Sequence, residues 1–525
     1  MVASFVAMMV VWLGPPGGDL AAHTYLRSLF LRHGFTLWDN FWYAGRYSFI
    51  AYSVMYYPLA AVVGIKLLAV ASVAVGAFGF AVVVGREWGI TARLSGRVFA
   101  VVWAGVVLAG TYPFTLGAAF ALLAVWALQV SHNARFALLA LLTLAASPLA
   151  FLLLVLVVLA MGLDRRPSWR RLHLPALAIA ALTVIGAVLW RLFPAGGRYP
   201  FSVVEFSAAF AFFGAGVALT WRNERARALR WVFLVNLVAC VVAFLVPSAL
   251  GENIARLRLA SLPIAVLALS LRRWRPRIVA VTALLLAVTW NASPIAANFL
   301  QGNRDTSANP AYWQPAIRYL HMHLRPSYRV EVVDTVDHWE AAYLPPAEIP
   351  IARGWFRQDD VPFNNVLYRR LTTTSYLRWL HAVGVAWVVL TTAPPDYSAL
   401  GEAALLRSGR SGLQPVYRTS TTTIFAVPAP TKIVTGTGPA LVIAFHEARV
   451  LLEVGSPGTY RVAIRYAPYW RSSQGCVTRG VDGMLSLHAF RAGLASLAFD
   501  VDPRRAFTAF AGASPPRCPD YTRRP

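Results

Sequence analysis

Residues 17–58 read GGDLAAHTYLRSLFLRHGFTLWDNFWYAGRYSFIAYSVMYYP and lie between two apolar runs. The stretch is dense in Asp, His, Arg, Trp and Tyr, and Asp19, His23, Arg27, Asp39 and Arg46 are spread along it. A connector between two helices needs only a few residues, so a segment of this length and composition calls for a reason beyond connection. Asp19 and His23 are four apart and share a face if the segment is helical. A carboxylate so placed can take the proton from an acceptor hydroxyl, which transfer to a neutral sugar requires. The competing reading is a helix N-cap, because Gly-Gly-Asp-Leu also starts helices.

A second group is Gly251-Glu-Asn-Ile-Ala-Arg-Leu-Arg258, which breaks an apolar pattern with Asn253, Arg256 and Arg258. Arginine forks match phosphate oxygens, and interfacial snorkelling is the alternative. A third, the turn of residues 110–117 (GTYPFTLG), reads first as an aromatic belt with a Pro turn, and lining for a lipid or sugar groove is the alternative. A fourth combines His338, Trp339 and Glu340 with Arg353 and Trp355, then Gln358, Asp359 and Asp360, and Asn364 and Asn365. Aromatic faces stack on sugar rings and Asp and Arg take hydroxyls, so this cluster is a candidate acceptor site; an ordinary domain surface is the alternative. His321 and His323 have no carboxylate or Cys at ligand spacing, so no metal set is assigned and a metal requirement stays open. No Gly-rich phosphate loop with Lys, no HExxH and no GxSxG occurs. These absences argue against a nucleotide-driven pump and a serine hydrolase.

The elements that must hold these residues are mostly apolar. Of 525 residues, 58% are hydrophobic and 14% charged, against about 25% charged in soluble domains. The long apolar runs fall before residue 293, which divides the chain into a polytopic membrane part and a soluble remainder. The runs are 2–13, 67–85, 98–110, 115–130, 136–146, 149–163, 174–192, 201–220, 231–246, 259–271 and 278–290, about eleven spans. The first is short and lacks a basic flank, so the natural start is expected upstream; a cleaved signal peptide fits poorly.

The net charge of +25 is nearly all Arg, with only Lys66 and Lys432 as lysines. A GC-rich bacterial genome accounts for that bias, and the placement of the charge in short loops argues for membrane topology over nucleic-acid binding. With residues 14–66 outside, the inside loops hold sixteen arginines and the outside loops six, as the positive-inside rule requires. This parity needs a helix break at Ser147-Pro148. The resulting domains are 1–293 (membrane, with a large first outer loop 14–66), 294–428 (an α/β unit outside the cell), 429–510 (a β-sandwich-like module) and a disordered tail from 511. The strands expected are 329–333, 385–390, 416–418 and 423–427, then 440–444, 449–454, 460–466, 484–489 and 496–499; helices are expected at 311–324 and 364–382, and a polar linker at 294–310. If this part is outside, Cys476 and Cys518 can pair, which spacing alone does not decide.

The pattern GGDLAAH…GFTLWDNFWYAGRYSFIAYSVMYYPL resembles the first outer loop of the GT-C superfamily of polytopic glycosyltransferases. It is most similar to a bacterial membrane-protein branch labelled 6-pyruvoyl-tetrahydropterin synthase-related, although no pterin site is visible. The resemblance implies a GT-C-like helical membrane domain in the plasma membrane and a polyprenyl-phosphate-linked sugar as donor. It also implies a cell-envelope glycan as acceptor and an acidic residue of the first outer loop as base. By position that residue is Asp19, with Asp39 second and His23 beside them. Donor phosphate would fall to Arg256, Arg258, Asn253 and Arg46. Two rival functions are a flippase or transporter of an envelope lipid, and a non-catalytic glycan-binding assembly protein. The spans carry almost no charge, Arg191 and Glu205 near span ends excepted, which disfavours transport.

Overall fold

A computed structural model describes residues 1–164, 169–194, 196–512 and 518. The chain divides into two compact units. The first comprises Met1–His23, Tyr52–Ala187 and Gly197–Arg304; the second comprises Thr24–Ala51, Val188–Gly196 and Asp305–Pro525. The segment 14–66, expected as an outer loop, is therefore shared: its start belongs to the first unit, and its middle, with Asp39 and Arg46, to the second. The expected boundary at residue 293 kept the loop whole.

The first unit is helical. Among the described residues, seven helical stretches are long and apolar enough to cross a membrane: Ile65–Val107, Tyr112–Gln129, His173–Leu192, Val203–Thr220, Glu224–Leu245, Gly251–Leu271 and Arg277–Arg304. Shorter apolar helices are Val2–Leu13, Asn133–Ala146 and Pro148–Asp164. The stretch Ile65–Val107 contains two of the expected runs, broken at Gly89, whose φ of +58° ends the first. Leu177, Val184, Val204, Val238 and Leu285 are exposed on these helices. That much apolar surface is unfavourable in water and natural against lipid, so the chain is a membrane protein. Ser147 is extended (φ −160°, ψ 112°) and separates Asn133–Ala146 from Pro148–Asp164. Proline disfavours the helical conformation in the residue before it, which accounts for the break. The helix Arg277–Arg304 runs on through Pro294, where a linker was expected. The Arg-rich loop expected at residues 164–173 lies partly outside the described residues.

The second unit contains a mixed four-stranded sheet and two antiparallel ones. In the mixed sheet Arg329–Val332 pairs parallel with Val385–Thr391, followed by Thr422–Ala426 and Gln414–Arg418, both antiparallel. The helices Pro310–His323 and Thr373–Val383 accompany it. One antiparallel sheet runs Gly475–Arg479, Met484–Ala489, Gly458–Arg465, Val434–Gly436; the other runs Trp470–Ser472, Gly493–Phe499, Arg449–Val454, Ala440–His446. Alternate residues of both, including Val462, Ile464, Leu485 and Leu487 with Val450, Leu452 and Leu497, fill one apolar core, as period-two patterning predicts. Trp38 from the outer-loop segment lies in that core, stacked on Phe499 at 5.0 Å. Cys476 and Cys518 form a disulfide with Cα atoms 5.8 Å apart, while Cys240 is free and buried. Pro503–Phe510, at the end of the module expected at 429–510, is helical; of the tail expected to be disordered, residues 513–517 and 519–525 lie outside the described residues.

Candidate active site

Within the first unit, Asp19 immediately precedes the helix Leu20–His33 and is half-buried. Its placement depends on two glycines. Gly110 has φ +72°, and a Cβ there would meet the Asp19 backbone nitrogen at 2.7 Å and its Cβ at 2.8 Å. A Cβ on Gly17 would meet the Gly110 nitrogen and the Leu108 carbonyl oxygen at 2.8 Å. Only glycine tolerates both the conformation and the approach. The turn read as an aromatic belt thus forms the wall against which Asp19 rests.

His23 is fully buried at the centre of this wall. One of its nitrogens, Nε2, lies 2.9 Å from the Gly110 carbonyl oxygen, which can only accept, so Nε2 carries the proton. Nδ1 then accepts from the Tyr57 hydroxyl at 3.1 Å. The rings of Tyr52, Tyr56, Tyr57 and Tyr112 surround it with centroids 5.5 to 6.1 Å away. Burial pushes its pKa down to about 3, with the positive charge of Arg256 adding to the effect. A neutral imidazole with both nitrogens engaged holds no spare proton site. The structure thus places His23, expected in a catalytic role, inside this wall with both ring nitrogens engaged.

Arg256 lies on the 3-10 segment Gly251–Ala260. Its Nε donates to Asn253 Oδ1 at 3.0 Å, and its guanidinium lies 5.0 Å from the Phe114 ring centroid. Its terminal nitrogens make no hydrogen bond among the described residues. Arg258 differs, because Glu205 pairs with it. Asn253 serves as the holder of Arg256. The four expected phosphate ligands thus reduce to one guanidinium with open donors. Burial pushes the Tyr52 phenol above its usual value; the Asp19 carboxylate adds to this and Arg256 opposes it. Asp19 and Arg256 therefore both bear on Tyr52.

Arg256 and Phe114 also line an apolar cavity of about 220 Å³ within this unit. Phe80, Phe99, Trp103, Leu154 and Ile264 form its walls, and Glu87 and Asp164 also border it. Its dimensions and lining suit part of a hydrocarbon chain.

The remaining expected site residues are in the second unit, and they are interior. Asp39 is fully buried and accepts from the Tyr25 hydroxyl and the Phe41 N–H, both at 2.9 Å; burial raises its pKa to about 7. Arg46 pairs with Asp359 at 2.7 Å and lies over the Phe356 ring at 4.0 Å. Arg353 grips Asp360 through Nε (3.1 Å) and Nη2 (2.6 Å), and Asn364 and Tyr368 also donate to Asp360. Burial alone would raise the Asp360 pKa; the Arg353 charge and these donors instead hold it at about 2. Trp339 and Glu340 are buried, and Trp355 is half-buried with its ring edge-on to Phe356 at 5.1 Å. The expected acceptor cluster is thus an interior ion-pair network. Asp, Arg and Trp are dense in sugar sites and in buried networks alike, and sequence does not say which side they face.

No family model and no curated protein sequence matches the chain. Solved structures do. The arabinofuranosyltransferase AftD from Mycobacteria is 19% identical, with 89% of this chain and 43% of that one covered at a TM-score of 0.49. A second structure of the same protein gives 19%, 89%, 41% and 0.47. The oligosaccharyltransferase of Archaeoglobus fulgidus is 14% identical over 74% of this chain and 67% of that one, at 0.36. The chain spans less than half the length of the mycobacterial protein.

Sequence reasoning missed Gly110 and Tyr57. Their signal, a Gly-Thr-Tyr-Pro turn and an aromatic run before a span, was present but has a commoner explanation at a membrane interface. It also missed Asp334, which with His338 and Glu340, both named in the fourth cluster, forms a three-residue set in the run Asp-Thr-Val-Asp-His-Trp-Glu.

Proposed function

We propose that the chain is a membrane glycosyltransferase of the GT-C kind. It moves a sugar from a polyprenyl-phosphate donor to a cell-envelope acceptor at the extracytoplasmic face. The observation that carries this reading is an apolar cavity lined by Arg256 in the same unit as the Gly17 and Gly110 wall against which Asp19 rests. A lipid phosphate has matching parts: the chain takes the cavity, the phosphate takes the open donors of Arg256, and the sugar reaches Asp19. Asp19 accepts the proton of the incoming hydroxyl as the new glycosidic bond forms and the bond to the lipid phosphate breaks. Arg256 stabilises the negative charge left on the departing phosphate. His23, Gly17 and Gly110 hold Asp19 in place. The β-sandwich-like module and the α/β unit contribute outside the cell.

Profiling of lipid-linked glycans in a deletion strain tests this directly. The donor lipid should accumulate and its glycan product disappear, with wild-type chain restoring both and Asp19→Asn restoring neither. An unchanged profile in the deletion strain contradicts the reading.

A further inference from the structure

A second potential site lies in the second unit and does not depend on the transferase reading. Asp334 follows the strand Arg329–Val332, and Asp396 follows its parallel neighbour Val385–Thr391. Both are beyond the carboxyl ends of paired parallel strands, where α/β units commonly place ligands. Beside Asp334, His338 and Glu340 fold back so that one ligand atom from each of the three residues lies within 4.8 Å of the others. His338 Nδ1 is 3.5 Å from Asp334 Oδ2 and 3.5 Å from Glu340 Oε1. All three residues are more than nine-tenths buried; His338 Nδ1 and Glu340 Oε1 make no hydrogen bond among the described residues, while Asp334 Oδ2 has Arg353 as its ion-pair partner. Orphaned buried atoms are costly, and two of them beside the Asp334 carboxylate call for a shared partner. Ligands about 2.1 Å from a metal ion in tetrahedral arrangement sit about 3.4 Å apart, close to the two separations observed.

The surroundings fit a metal as well. Glu340 Oε2 accepts from the Thr335 hydroxyl at 2.7 Å, which turns Oε1 toward His338. His338 Nε2 faces Asp396 Oδ2 at 3.9 Å, and Ser398 and Arg357 fix Asp396. A carboxylate behind a ligating imidazole is the usual outer-shell partner. Arg353 Nη2 is 2.8 Å from Asp334 Oδ2, so that carboxylate would be shared. Asp334, Glu340, Asp360, Asp396, Glu331 and Glu402 are buried together, facing the guanidinium groups of Arg353 and Arg357.

We infer that Asp334, His338 and Glu340 bind a divalent transition-metal ion that ties the segment 334–340 to the mixed sheet. One imidazole and two carboxylates suit Zn²⁺ or Mn²⁺ better than Ca²⁺, which prefers all-oxygen shells. The ion's role is structural, because the ligands sit in the interior.

The test uses the full chain purified in detergent, stripped with chelator and dialysed against Zn²⁺ or Mn²⁺. One equivalent of metal should be retained, and the melting temperature should rise with metal concentration. The Mn²⁺-loaded wild-type chain should show a single imidazole-nitrogen coupling in its pulsed paramagnetic resonance spectrum. Glu340→Gln and His338→Ala should lose the retained equivalent, and His321→Ala should keep it. No retained metal and no melting shift in the wild-type chain would overturn the inference. So would retention in Glu340→Gln equal to wild type, or a manganese spectrum without nitrogen coupling. Transfer activity is not a readout here, so failure of this site and failure of the transferase reading are separate results.

Discussion

The imidazole of His23 donates from Nε2 to the carbonyl oxygen of Gly110 at 2.9 Å, joining the start of the first outer loop to a turn 87 residues later. That bond and the bare Cα of Gly110 together set where Asp19 stands. Gly110→Ala should therefore strike twice, through strain at positive φ and through a Cβ driven into Asp19. We expect transfer to fall by one to two orders of magnitude, roughly the cost of displacing a catalytic group by about 1 Å. The assay is in vitro transfer on protein that elutes as the wild type does.

His23 also gives a pH signature. Its folded pKa, about 3, lies below the usual imidazole value of 6.5. The stability this neutral imidazole contributes is fully present above pH 6.5 and is lost as pH falls from there toward 3. The slope is at most about 1.4 kcal/mol per pH unit. Thermal unfolding in detergent at neutral and mildly acidic pH should show that loss, and His23→Gln should flatten it.

Arg256→Ala should weaken binding of a donor phosphate analogue by about tenfold or more, the scale of a lost charge-assisted contact. Lysine there should restore part of it, since the fork is lost. Arg258→Ala should change binding less, because Glu205 already occupies it. Binding isotherms with a short-chain polyprenyl phosphate distinguish these cases.

Ala121 lines the apolar cavity. Ala121→Phe should fill part of it and lower affinity for long-chain donors more than for short-chain ones. A stability cost of about 1–3 kcal/mol is expected from overpacking, so affinity is compared on protein shown to be folded.

Arg353→Ala should act on stability. Its loss leaves Asp360 buried without its guanidinium partner and Asp334 with only His338 beside it, which costs about 3–5 kcal/mol for a broken buried pair. Chemical denaturation of the second unit reads this, and glycan affinity measured on the surviving fold should be unchanged.

How much was legible in the chain follows from the range of the forces involved. The helix Val2–Leu13 and the strands Arg449–Val454 and Met484–Ala489 fall where apolar runs and alternation place them, because burial of one face is a local pattern. The break before Pro148 was equally local. Val434–Gly436 and Trp470–Ser472 were not foreseen, since three residues carry too little alternation to stand out. The charged cluster around Arg353 was visible as composition, yet its burial depends on partners as distant as Ser398 and Glu402. Asp19 was legible as a candidate; Gly110 beside it was not, because that approach exists only in the folded chain.

The central claim is that Asp19 takes the acceptor proton, and a single comparison tests it most directly. Asp19→Asn keeps the shape of the side chain and removes the base. Single-turnover transfer from a polyprenyl-phosphate sugar should fall by about 10²–10⁴, the usual contribution of a general base, while binding of the donor analogue stays at the wild-type level. Folded Asp19→Asn protein that transfers sugar at the wild-type rate would contradict the account.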